Sequence, residues 1–265
     1  MDRLSIQLRI TIMDILHQSK IGGHIGPAFS LCEIARASML ESEDPIKIFD
    51  QHKRRVVLSK GHGCLALYAA LLLAGEIPAH QKSQFCAIGT HLGGHPERDV
   101  NVGIHATSGS LGHGLPFAVG MALSDTIQRL ERDVVVIVGD GELNEGSNWE
   151  AALHAAKHKL GKLKVMIDLN GHQCNGPIEM VLPVPGLAEA WKALGWNVQY
   201  VDGHDVKAME QLLFSADEGK PHLFLCKTTK GKGMGELEDA PACHYTPELT
   251  PFLLELRHSL EGLIQ

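Results

Sequence analysis

No apolar run in the 265-residue chain approaches the ~18 residues of a membrane-spanning helix, and mean hydropathy is −0.02. The first ten residues, MDRLSIQLRI, hold no signal-peptide core, so a cytoplasmic address is expected. An excess of basic residues is also lacking: Lys+Arg 24 against Asp+Glu 31 gives a formal charge of −7. Nucleic-acid binding rests on neutralising phosphates, and this chain has no basic block to do so. The six cysteines form no CxxC pair and no even-spaced framework. They read as reduced, mostly buried small hydrophobes. Aromatic residues make up only 5%. What replaces them is glycine, 28 residues against a usual share of about 7%, and histidine, 16 residues. Such a composition suits an α/β enzyme in which glycine lets the backbone approach a phosphate.

No repeat, low-complexity tract or long linker divides the chain, so 1–265 reads as a single domain. Leu4, Leu8, Ile12, Ile15 and Leu16 recur at helical spacing before a stop at Gly22-Gly23. Ser30 and Glu33 read as a capping box opening a helix to about residue 40. A short buried strand at 56–58 precedes an apolar helix over 65–74, and a small-residue-rich helix spans 111–130 with Pro116 near its start. The second half alternates strands at 134–138, 163–169, 196–201 and 222–227 with helices at 149–159, 188–194 and 206–215. Continuous β-branched runs such as Val134–Val138 mark strands covered on both faces. The alternation predicts an α/β fold, a doubly wound, mainly parallel sheet with helices on both faces and right-handed crossovers. Ligands then bind beyond the carboxyl ends of the strands, in the loops 139–148, 170–177 and 228–244.

One strand runs into Gly139-Asp140-Gly141 and the next ends at Asp168-Leu169-Asn170. On neighbouring strands, Asp140 and Asn170 project into one crevice about 5 Å apart. A carboxylate and an amide oxygen are hard ligands that suit Mg²⁺, which completes its octahedron with phosphates and water. Gly139 and Gly141 let a diphosphate reach the backbone. Taken singly, each dipeptide is ordinary turn chemistry.

Together, G-D-G and an Asn after the next strand resemble the thiamine-diphosphate fingerprint, and the wider text, GDGELNEGSNWEAALHAAKHKLGKLKVMIDLNGHQCNG, resembles transketolase. The resemblance extends through GGHIG at 22–26, VVLSKGHGCLALYAAL at 56–71, GGHPE at 93–97, TSGSLGHGLPFAVGMAL at 107–123 and TKGKG at 229–233. It implies thiamine diphosphate with Mg²⁺ (or Ca²⁺ or Mn²⁺) held by Asp140, the Asn170 side-chain oxygen and the His172 backbone carbonyl. It places His62, Gly109, Gly139 and His244 at the cofactor diphosphate or its entrance, and His24, His95 and His244 around substrate hydroxyls and the reacting carbon. Glu145 falls where a carboxylate couples cofactor sites across a subunit interface, with Glu150 a second member of that group. Independently, His24, His62 and His95 sit beside glycines in loops, where imidazole can reach a ligand and relay protons near neutral pH. His17, His52, His154, His158 and His258 read as surface histidines. Leu169, His113, Ile25 and Cys243-His244-Tyr245 depart from the family pattern in loops bordering the sugar channel.

All the matched motifs belong to the diphosphate-binding domain of an enzyme over twice this size. The resemblance therefore implies the N-terminal subunit of a split transketolase. A separate C-terminal subunit would carry the pyrimidine-binding domain, in an α₂β₂ heterotetramer. The expected reaction cleaves C2–C3 of a ketose or ketose phosphate, releases an aldose and passes the two-carbon ketol unit to an acceptor aldehyde. Rival readings are an α subunit of a 2-oxo-acid dehydrogenase, which lacks SKGHG and GGHPE, and a non-catalytic cofactor-binding or regulatory subunit. An NAD site at Gly61-His62-Gly63 lacks its acidic residue about 20 positions on. A zinc site from His91, His95, His105 and His113 lacks supporting motif spacing.

Overall fold

The computed structural model describes residues 1–43, 45–214, 219–247 and 250–264. Five strands, β1 (Arg54–Leu58), β2 (Asp133–Gly139), β3 (Leu163–Leu169), β4 (Asn197–Asp202) and β5 (His222–Lys227), form one sheet in the order β1-β2-β3-β5-β4. Every pairing within it is parallel. Among the described residues the α-helices of six residues or more are α1 (Arg3–Ser19), α2 (Ile25–Ser30), α3 (Cys32–Met39), α4 (Cys64–Leu73), α5 (Gly114–Ile127), α6 (Gly146–Lys157), α7 (Leu187–Ala193), α8 (Val206–Leu213) and α9 (Pro251–Gly262). The expected doubly wound α/β architecture is present. The helix expected over 206–215 ends at Leu213; Ser215 lies outside the described residues.

The period-2 geometry of a strand sends successive side chains to opposite faces, and two cores record it. Val56, Leu58, Val135, Ile137, Met166, Phe224 and Cys226 pack against α1 to α4, α8 and α9. Val57, Val134, Val136, Val138, Val165, Ile167, Leu223 and Leu225 pack against α5, α6 and α7 on the other face. This two-sided covering is why the strands are apolar at consecutive positions rather than alternating.

Two local expectations are corrected. Ser30 does not cap a helix; it ends α2, and its hydroxyl donates to the Pro27 carbonyl and the Asp168 carboxylate, both at 2.9 Å. Glu33 does not reach back to a cap either. Its two oxygens take the Arg9 guanidinium at 2.7 and 3.0 Å, and His204 joins them at 2.9 Å. Buried partners from α1 and the loop after β4 outcompete the local capping bond. The helix expected from 111 begins at Gly114, so Pro116 falls in its first turn, where a missing N–H costs nothing. Of the six free cysteines, Cys32, Cys64, Cys226 and Cys243 are buried, whereas Cys86 and Cys174 are exposed.

Candidate active site

At the carboxyl ends of β2 and β3 the chain leaves a cleft of about 290 Å³. The three loops that the alternation singled out all contribute to it: Gly139, Asp140 and Gly141; Asn170, His172, Gln173 and Cys174; and Lys230 and His244. His24, His62 and Gly109 enter from the other loops. Gly139 pairs with Asp168 across β2 and β3, which sets Asp140 and Asn170 side by side at the strand ends. Asp140 Oδ1 accepts from the Gly141 N–H at 2.8 Å and Oδ2 from the Gly171 N–H at 2.6 Å, so the carboxylate stitches the two loops together. Asn170 Oδ1 accepts from the His172 N–H at 3.0 Å, while Nδ2 donates to Asp168 at 2.9 Å.

Beneath this pair lies a polar centre that the sequence analysis did not single out. Asp168 is fully buried, and its carboxylate receives Lys60 Nζ at 2.5 Å, the Ser30 and Thr228 hydroxyls and the Asn170 amide. Burial alone would raise the Asp168 pKa; Lys60 and the hydrogen bonds bring it below the ordinary carboxylate value. Glu142 is a second buried carboxylate. It accepts from the Ser59 hydroxyl at 2.5 Å, Gly112 N–H at 2.9 Å and Gly139 N–H at 3.1 Å, joining the loops after β1, before α5 and after β2. Burial raises its pKa. A signal for Asp168 was legible: it shares the parity of Met166, so a charge in a strand covered on both faces needed a partner. Lys60 lay inside SKGHG with no role given to it.

Above the carboxylates the structure gathers four histidines. The His24 ring lies 6.1 Å from His62, 6.3 Å from His95 and 5.3 Å from His244, centroid to centroid, and His62 and His244 are 6.1 Å apart. Burial, then Lys60 and the neighbouring rings, pushes the His62 pKa down to about 2. Burial and Lys230 take His244 down to about 4, and burial followed by His95 lowers His24. These three imidazoles are neutral at physiological pH, so each offers one N–H donor and one acceptor nitrogen. The His244 Nδ1 is buried with no partner among the described residues.

His95 stands at the rim rather than in the lining, on an exposed loop against Gly61 and Gly109. The backbone there is close: a Cβ on Gly61 would fall 2.7 Å from the Gly109 nitrogen, and Gly109 holds φ +142, which favours glycine. Glu145 is outside the cleft, exposed at the start of α6, beside Gly112; Glu150 is exposed farther along the same helix. The five histidines read as surface residues are all exposed.

Lys230 is positioned from below by a buried network. Arg9 donates from Nε to the Lys232 carbonyl at 2.8 Å, and His204 Nε2 accepts from the Thr229 N–H at 2.9 Å. Both are anchored on Glu33, so the 228–233 segment is tied to α1 and α3. Burial lowers the Lys230 pKa.

The chain matches the model of the transketolase thiamine diphosphate-binding domain over residues 2–251. It is 40% identical over 243 residues to the 6-deoxy-6-sulfo-D-fructose transketolase subunit SqwG of Clostridium sp. strain MSTE9, covering 89% of this chain and 86% of that protein. It is 35% identical over 244 residues to an apulose-4-phosphate transketolase subunit of Actinobacillus succinogenes, covering 91% and 88%. The crystal structure of transketolase from Campylobacter jejuni superposes with a TM-score of 0.84 at 25% identity, over 98% of this chain but 43% of that one. A polar crevice at the strand ends, a cluster of histidines above it and the family match agree: the chain belongs to the transketolase family, as an N-terminal, thiamine diphosphate-binding transketolase subunit.

Proposed function

We propose that this chain is the diphosphate-binding half of a two-chain, Mg²⁺-dependent transketolase that moves a two-carbon ketol unit from a ketose or ketose phosphate to an aldose acceptor. The observation that carries the reading is the convergence of His24, His62, His95 and His244 over the Asp140–Asn170 crevice. Three carboxylates, Asp140, Glu142 and Asp168, stand at or beneath the cleft beside Lys60 and Lys230. Of the three only Asp168 forms an ion pair among the described residues, with Lys60, and burial followed by the proximity of Asp168 pushes the Asp140 pKa up to about 6. A divalent cation on Asp140 relieves that excess, and hard oxygen donors suit Mg²⁺, or Ca²⁺ or Mn²⁺. Asp140, Asn170 Oδ1 and the His172 carbonyl would hold the ion. His62, Gly109, Gly139 and Gly141, together with Lys60 and Lys230, would receive the diphosphate.

Thiamine diphosphate, when bound, supplies the stabilised carbanion that breaking and making a carbon–carbon bond next to a carbonyl requires. The chain's own contribution is orientation and proton movement. Neutral His24 and His244 each accept a proton from one sugar hydroxyl or return it, and His95 at the rim completes the set around the reacting carbon. Burial around His62 excludes water from the diphosphate side.

The chain spans 86% and 88% of two relatives named as transketolase subunits but 43% of the Campylobacter jejuni transketolase chain. That difference supports a separate C-terminal subunit bearing the pyrimidine-binding domain, in an α₂β₂ heterotetramer, with Glu145 and Glu150 on the surface that faces another subunit. Six unpaired cysteines fit the reducing cytoplasm. Among the described residues no helix is long and apolar enough to cross a membrane.

The test is to pull the tagged chain from its own cells and identify by mass spectrometry what remains attached. A stoichiometric companion with a pyrimidine-binding domain is expected. The reconstituted pair should transfer ketol units in an EDTA-sensitive manner, and Asp140→Ala should abolish Mg²⁺-dependent cofactor retention while leaving the circular dichroism spectrum unchanged. Ketol transfer by the chain alone would overturn the two-chain reading, and unchanged retention in Asp140→Ala would overturn the metal site.

A further inference from the structure

A second cavity, of about 530 Å³, opens at the amino ends of β1 and β2, the opposite end of the sheet from the catalytic cleft. Arg55 and Arg132 form one wall. Both guanidinium groups converge on the buried Asp125: Arg55 through Nη2, and Arg132 through Nη2 at 3.3 Å, with its Nη1 donating to the Gln51 carbonyl at 3.3 Å. The Nε donors of both arginines are buried and unpartnered among the described residues. Arg98 and His105 also line it, and His105 lies within electrostatic reach of all three arginines. The Arg98 guanidinium has no hydrogen-bond or ion-pair partner among the described residues, and the His105 ring, 7% exposed, makes no hydrogen bond among them. Two carboxylates oppose the three arginines. Asp125 is shared by two of them, and Asp50 accepts the His52 N–H at 2.9 Å. Burial and the three arginines push the His105 pKa down to about 4. The cations of this cavity thus outnumber the carboxylates that face them.

We propose that this cavity is an anion site for a phosphate group, free or carried as a monoester on a small molecule, held by Arg98, Arg132 and His105 and separate from the catalytic cleft. Guanidinium forks match the geometry of phosphate oxygens, and a neutral imidazole adds one N–H donor. The space exceeds that of a bare phosphate, which leaves room for a small organic group beside Phe117 and Met121. The site also reaches the cleft mechanically. Arg98 and His105 lie on the segment that starts at His95 and ends at Gly109. That segment is closed on itself by paired bonds between Asp99 and Ile104 at 3.0 and 2.9 Å. A bound phosphate ties this hairpin to the start of the sheet and so fixes the base of the loop carrying His95.

The experiment is thermal unfolding of the purified chain in inorganic phosphate against chloride at equal ionic strength, with glycerol 3-phosphate as a second arm. Phosphate should raise Tm by about 3–5 °C at ten times its Kd. Arg98→Gln, on an exposed side chain, should abolish the rise without changing the baseline Tm, whereas His62→Ala, which disables the diphosphate cleft, should retain it. A larger rise with glycerol 3-phosphate identifies a monoester site, and an equal or smaller one a free-phosphate site. No rise in the unsubstituted chain, or a rise that survives Arg98→Gln and vanishes in His62→Ala, would overturn the proposal.

Discussion

Glu33→Gln tests the idea that the 228–233 segment depends on the buried ion pair that anchors it to α1 and α3. Arg9 and Glu33 are both fully buried and meet at 2.7 and 3.0 Å, and Glu33 also holds His204. Burial by itself would raise the Glu33 pKa. The hydrogen bond from His204 and the charge of Arg9 reverse that and bring it down to about 2, from an ordinary 4.5. A difference of that size between folded and unfolded chain is worth about 3 kcal/mol. Removing one partner from a buried pair is expected to cost ~3–5 kcal/mol, because the other charge stays behind, so the two routes agree. The sign follows from the depressed folded pKa. The contribution is complete above the unfolded value of about 4.5 and is lost as pH falls from there towards about 2. Urea unfolding at pH 7 should therefore show Glu33→Gln less stable by about 3 kcal/mol, or lower in Tm by roughly 6–12 °C. The gap should narrow between pH 4.5 and pH 2, where the unfolded chain's carboxylate takes up a proton and the native one does not. Equal stability at pH 7, or a gap that ignores pH, would refute the reasoning. With Arg9 no longer neutralised, its bond to the Lys232 carbonyl and the His204 contact at Thr229 loosen, so cofactor affinity should also fall although no cleft residue has been changed.

Two further outcomes follow from the geometry of the cleft. His24→Ala in the reconstituted enzyme should lower kcat by ~10²–10⁴-fold with Tm held within a degree or two; a kcat within twofold of the unsubstituted enzyme would remove His24 from proton movement. Gly61→Ala places a methyl 2.7 Å from the Gly109 backbone nitrogen, which no rotamer change relieves. It should cost about 1–3 kcal/mol in urea unfolding and weaken cofactor binding together, since both loops border the diphosphate space; an unchanged unfolding midpoint would show that the loops separate freely.

Residues whose meaning is carried by neighbours in the chain were legible without a structure. The β-branched run at 134–138 could only be a strand covered on both faces. Gly139-Asp140-Gly141 and Asn170 marked the ends of two such strands, and the rule that ligands gather at carboxyl ends then named the three loops that line the cleft. The clustered histidines were legible only in part, through their glycine neighbours and the family motifs. Ser30 and Glu33 show where local reading fails: at capping-box spacing they look like partners, yet each is taken by a buried charge from far along the chain. Ser30 binds Asp168, 138 residues away, and Glu33 binds Arg9 and His204, 24 and 171 residues away.

Periodicity and local motif chemistry are properties of short segments, so the sequence by itself determined the parallel α/β architecture, the pole at which the cleft opens and the Asp140–Asn170 crevice. Only the tertiary structure decided which charges meet. Lys60 under Asp168, Glu142 across three loops and Arg9 against Glu33 are each set by the stacking of layers. A buried charge takes whichever partner the packing brings within about 3 Å, because in a low-dielectric interior an unpaired one is too costly to keep.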